Sequence, residues 1–230
     1  MANIKITNRY FFKISLGDFF FYGFSIHKSN SNISVAHFFN KIHITNFDCF
    51  YHWVDLIDNP ELFEREEIMD AIPEPYYTIG KKSLEKMREA IKSKADPVWT
   101  RFYEEMPNYQ QEYFPINFKN AIKWGVKIVA GVDAGMGGAG YVPHGFLYKE
   151  LELFVKYGMD EYDALRTATI NAAELLGASD EIGSINQGKY ADLVILKSNP
   201  VKNISNLRNI EFVIKDGQIV YKYQECHVAN

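Results

Sequence analysis

One stretch constrains this chain more than any other: Val126-Lys127-Ile128-Val129-Ala130-Gly131-Val132-Asp133-Ala134-Gly135. A nearly continuous apolar run bounded by glycines suits a parallel strand buried on both faces. Parallel strands need helical crossovers, so the run predicts an α/β fold. The flanking sequence supplies the helices. Residues 62–71 form a short candidate ended by Pro73 and Pro75, and Leu84, Met87 and Ile91 recur at helical spacing over 83–94. Asp96-Pro97 reads as an N-cap followed by proline at the first helical position. Phe118, Ala121 and Ile122 continue a stripe up to Gly125, a candidate C′ residue. After the strand, a helix is expected over 146–157, ended by Gly158. A single second helix is expected over 161–176, led by Asp160 and stopped by Gly177. The last fifty residues turn β-rich at 191–196, 210–215 and 218–223. Asp216-Gly217 there is a strong hairpin signal.

Length narrows the architecture. A complete (β/α)₈ barrel takes about 250 residues, so 230 residues cannot hold one plus an accessory domain. Composition breaks near residue 50. Residues 1–50 contain no Glu, carry 12 of the 35 aromatics and are net +3, which leaves 51–230 at net −7. The run Phe19-Phe20-Phe21-Tyr22-Gly23-Phe24 is too short to span a bilayer and lacks the form of a signal peptide. No membrane partner is expected. A net charge of −4 argues against nucleic acid as a partner, because phosphates want a basic surface. Two cysteines, Cys49 and Cys226, make neither a disulfide framework nor a Cys-based zinc site, which fits the reducing cytoplasm.

Asp133 is the leading candidate for chemistry. It ends a buried parallel strand, where α/β folds place their active sites. A carboxylate there can ligate a metal or take a proton from a metal-bound water. The alternative is a turn aspartate capping the next segment. Gly135 to Gly140 spell G-x-G-x-x-G, but the motif does not open directly into a helix and no Lys-Ser/Thr follows, so a flexible substrate-covering loop is expected rather than a phosphate cradle. His144 follows that loop. It is a candidate for binding substrate or metal, against a surface histidine near a helix start. His27, His37, His43, His52 and His227 form no His-x-His and no H-E-x-x-H. There is no G-x-S-x-G elbow for serine-hydrolase chemistry.

Four linked stretches resemble the metal-dependent amidohydrolase superfamily, in its imidazolonepropionase-like and prolidase-like branch. They are Gly125 to Gly135 with its Asp; His144-Gly145 leading into Glu150-Leu151-Glu152-Leu153; Gly158-Met159 through Thr169 with Asn171-Ala172-Ala173-Glu174-Leu175-Leu176-Gly177; and Gly183-Ser184-Ile185, Gly188-Lys189, Ala191 to Leu196 and Val213 to Gly217. The resemblance implies a (β/α)-barrel enzyme with a small β-sandwich. Its metals are held by a His-x-His, often a carboxylated Lys, further His, and the Asp of the last strand. Only that Asp has a counterpart here, as Asp133.

The expected fold is therefore a partial barrel, comprising the last strands and helices of a TIM-type hydrolase, plus a small C-terminal sandwich portion. The expected division is 1–50 unassigned, 51–178 partial barrel and 179–230 sandwich portion. The implied activity is hydrolysis of a non-peptide C–N bond, or a related amide or ester, in a small-molecule substrate. A divalent metal such as zinc would activate the water. Asp133 is the expected catalytic and metal residue and His144 the expected substrate contact. The chain alone is expected to bind metal weakly or not at all. The alternative is a truncated, silent fragment or association module that pairs with itself or with a missing N-terminal half. Asp192 is expected to fix a turn or strand edge, and Asn171 to bond backbone nearby.

Overall fold

A computed structural model of the chain describes residues 43–223, apart from 46, 133, 134, 138, 139, 143 and 144. These residues divide into two compact units. Among the described residues, one contains 52–126, 135–137 and 140–142; the other contains 43–45, 47–51, 127–132 and 145–223.

The first unit is helical. Helix α1 (Phe47–Asp58) runs into it, followed by a 3₁₀ turn (Pro60–Glu64), α2 (Glu66–Ala71), α3 (Tyr76–Lys92) and α4 (Pro97–Asn108). A π turn (Tyr109–Tyr113) then leads into α5 (Phe114–Lys123). The N-cap signal at Asp96 holds: its Oδ1 accepts from the amides of Val98 and Trp99 at 3.0 and 3.1 Å. Leu84, Met87 and Ile91 are the buried stripe of α3, but that helix starts earlier than periodicity suggested. The candidate at 62–71 is two elements, with Arg65 in an extended conformation between them. Pro107 lies inside α4 and Pro115 in the first turn of α5. Pro107 removes a ladder donor and crowds the carbonyl four residues back, whereas Pro115 suits a first turn, whose amides have no intrahelical acceptor. The wider π turn lies between them, where such a helix can absorb the mismatch. Trp53 anchors the core against Trp99, Phe102 and Tyr103, with ring centroids 5.8, 5.0 and 6.4 Å away. Its buried indole N–H has no hydrogen-bond partner. Arg88 ties α3 to α1 by donating to the Ile57 carbonyl at 2.7 Å.

The first unit also contains a hairpin, β3 (Gly135–Gly137) and β4 (Gly140–Val142), paired antiparallel with Met136 opposite Tyr141. The expected flexible loop is thus a strand pair. Glycine accepts extended backbone as readily as a turn, and Tyr141-Val142 supplies the β preference that the glycines hide.

The second unit is built on a parallel pair. β1 (His43–Thr45) lies beside β2 (Ile128–Ala130) in register His43↔Ile128, Ile44↔Val129 and Thr45↔Ala130. Helices α6 (Leu147–Lys156), α7 (Glu161–Thr167) and α8 (Ile170–Leu175) pack on β2. Ile128, Val129, Leu151, Phe154, Ala164 and Ala173 are buried there. The expected single helix over 161–176 is two helices. Thr169, at φ −123° and ψ −98°, breaks it. Asp160 caps α7 as expected, accepting from the amides of Tyr162 and Asp163 at 2.8 and 3.3 Å.

Beyond α8 the chain forms a tight turn region and then an antiparallel sheet of β5 (Leu193–Leu196), β6 (Ile210–Lys215) and β7 (Gln218–Lys222), in that order. Asp216 and Gly217 both take positive φ, 49° and 76°, the conformation that a two-residue hairpin turn requires. Asp192 secures this turn, as expected. Its carboxylate accepts from the Asp216 amide at 2.8 Å and from the Lys215 ammonium.

Candidate active site at the carboxyl end of the parallel pair

The two strands run in the same direction and are in register, so their carboxyl ends, Thr45 and Ala130, lie side by side. Helix α1 begins just after Thr45, and Gly131 and Val132 follow β2 in the sequence, before Asp133. Periodicity placed the strand correctly, although it spans three residues rather than the full run. Asp133 and His144 themselves lie outside the described residues. In sequence they bracket the β3–β4 hairpin.

The base of β2 is held by α8. The Asn171 side-chain amide donates to the Ile128 carbonyl at 2.9 Å, across 43 residues of chain. This corrects the expectation of a bond to nearby backbone. One turn later, the Glu174 carboxylate pairs with the Lys127 ammonium. That hydrogen bond and its charge hold the Glu174 carboxyl below the usual carboxylate range. On α6, Glu150 is fully buried. Its neighbours Leu147, Leu151 and Phe154, at helical spacing, mark it in the sequence as a charge on an apolar face. Thr167 is also buried, and its hydroxyl donates to the Ala164 carbonyl at 2.6 Å.

Behind α8, Gly183 takes φ +85° and lies so close that a Cβ there would sit 2.5 Å from the Ala173 Cβ. The loop carrying Gly183 is closed by Lys189. Its ammonium donates to the carbonyls of Ser179 and Ile182, the latter at 3.3 Å, and to the Ser184 hydroxyl at 2.7 Å.

A divalent metal needs several donors fixed together. Among the described residues no three His, Cys, Asp or Glu side chains form such a group. The described residues therefore do not fit a metal and supply no metal-assisted step.

Residues 115–220 match the model of the amidohydrolase family. Over this stretch the chain is similar to the amidohydrolase family. The matched residues include β2, α6, α7, α8 and nearly all of the antiparallel sheet. An imidazolonepropionase of Clostridium tetani is 44% identical over 63 residues, 26% of this chain and 15% of that protein. An adenine deaminase of Methanosphaera stadtmanae is 39% identical over 84 residues, 36% of this chain and 14% of that protein. The imidazolonepropionase of Shouchella clausii is 30% identical over 109 residues, 46% of this chain and 24% of that protein. The chain thus spans well under two thirds of these relatives. Among solved structures, a Xaa-Pro dipeptidase with bound methionine aligns at 31% identity and a TM-score of 0.44, covering 69% of this chain and 38% of that one. An amidohydrolase from Thermotoga maritima aligns at 31% identity and a TM-score of 0.40, covering 47% and 26%. Among the described residues, no helix is long and apolar enough to cross a membrane.

Proposed function

We propose that this chain belongs to the amidohydrolase family and carries the last-strand carboxylate of a hydrolase that opens a non-peptide C–N bond, or a related amide or ester, in a small molecule of the cytoplasm. The observation that carries this reading is the family match across β2, the strand whose carboxyl end leads to Asp133. In the proposed reaction a water oxygen attacks the acyl carbon. Asp133 accepts the water proton and returns it to the leaving nitrogen as the C–N bond breaks. His144 contacts the substrate. The fold proposed with this reading is the closing part of a (β/α)-barrel over 51–178 and part of a β-sandwich over 179–230.

The test is hydrolysis of a panel of cyclic amides, N-acyl amino acids and simple esters by the chain and by Asp133→Asn. Turnover should fall by a factor of about 10² or more in the variant, the scale of losing a general base. An unchanged rate removes Asp133 from the mechanism.

A second reading is favoured by the small share of each relative that the match covers. Here the chain is a silent or associating part whose remaining ligands come from another polypeptide or another copy. Elemental analysis after size exclusion separates the two. Clearly less than one metal per chain supports the second reading, and a stoichiometric, chelator-resistant zinc overturns it.

A further inference from the structure

We propose that Asn171 is a positioning residue for the strand that leads to Asp133, acting through the Ile128 carbonyl; as a statement about an active site, this rests on the proposed function. Asparagine is a poor residue for a helix interior because its side chain competes for nearby backbone. In α8 it does something else. The break at Thr169 restarts the helix at Ile170, which places Asn171 in the first turn. Its amide then reaches 43 residues back to Ile128. Glu174 lies one turn along the same helix face and holds the preceding residue, Lys127. Two consecutive residues at the start of β2 are therefore held by one short helix.

That helix is itself fixed. Ala173 is buried, and Gly183 packs against it without room for a side chain. The loop behind Gly183 is closed by Lys189. Register matters for such a strand, because a slip of one residue exchanges its two faces. β2 pairs with a partner of only three residues, so the ladder alone gives it little resistance to slipping. A bond to the Ile128 carbonyl fixes the register at the one end of the strand while leaving the other end open for chemistry.

Amide hydrogen exchange on the full chain tests this without needing substrate. The probes are Val129 and Ala130 in β2, with Phe212 and Val213 in β6 as an internal control. Asn171→Ala should lower β2 protection about tenfold, because a buried carbonyl loses its donor, and leave β6 unchanged. Asn171→Asp supplies a switch. At pH 7 its carboxylate cannot donate, so β2 loosens. Near pH 3 the neutral carboxyl has an O–H to give, so protection should return toward that of the wild type at the same pH, to within about threefold. A role in packing alone would show no such reversal. Unchanged β2 protection in Asn171→Ala overturns the proposal. So does an Asn171→Asp variant equally loose at both pH values, or loss of β6 protection in both variants, which would assign Asn171 to global stability. The reading of Asp133 fails separately. A loosened β2 together with full turnover in Asp133→Asn would leave the strand clamp standing and remove the hydrolase assignment.

Discussion

Replacing Gly183 by alanine tests the packing beneath α8 most sharply. The added Cβ would meet the Ala173 Cβ at 2.5 Å, the Ile170 Cα at 3.1 Å and the Thr169 carbonyl oxygen at 3.1 Å. Two of the three contacts are backbone, which cannot rotate away. Overpacking of this kind costs about 1–3 kcal/mol. Gly183 also sits at φ +85°, where an L side chain costs about 1–2 kcal/mol. Stiffening the unfolded chain offsets roughly 0.4–1 kcal/mol of that. The net expectation is a loss of about 2–4 kcal/mol. Gly188 provides the control: its φ is +91°, but nothing lies within 4 Å of its added Cβ. Gly188→Ala should lose only the conformational part, roughly 1 kcal/mol. Urea unfolding of the two variants, followed by circular dichroism, isolates the clash as their difference. Equal midpoints would refute the close approach of Gly183 to α8. A partial rescue of Gly183→Ala by Ala173→Gly would locate the clash at the Cβ pair, since the second change removes one of the two carbons.

Asp160→Ala should cost about 1 kcal/mol, read in the same unfolding assay, because two amides of the first turn of α7 lose their acceptor. Asp192 should give the sheet hairpin an acid-sensitive component. Its carboxyl is held below the ordinary range first by the Lys215 hydrogen bond and then by the Asp216 amide. A lowered folded-state pKa means that the stabilisation is present above the ordinary carboxylate range and is lost as pH falls through the lowered value. In Asp192→Asn that component should vanish from a stability profile taken between neutral and acidic pH, and an unaltered profile would exclude the contact.

The parts of this fold that were legible in sequence are those governed by local chemistry. Asp96-Pro97, Asp160 and Asp216-Gly217 each announce a cap or a turn within a few residues, and each occurs where expected. What was not legible depends on distant partners. Ala168-Thr169 reads as helix, yet the chain breaks there, and the restarted helix carries Asn171 to Ile128. β1 is three residues long and pairs with a strand more than eighty residues away. Nothing in its own composition marks that pairing. The glycines from 135 to 140 carry no side-chain pattern, so hairpin and loop are indistinguishable before the structure. For the site, sequence reached the strand, its aspartate lies outside the described residues, and the residues that hold the strand came from geometry.

The loop behind α8 has a practical consequence. Acylating reagents and cyanate must reach the lysine nitrogen, and that of Lys189 is half-buried and held against two carbonyls and a hydroxyl. In the folded chain it is a poor target beside exposed lysines such as Lys94, whose side chain is 74% accessible. Once the loop opens, Lys189 becomes as reactive as the others. The time course of its labelling, followed by peptide mass, therefore works as a clock for the opening of this one loop. A sample kept long in urea would also record, at this lysine, how often its own scaffold came apart.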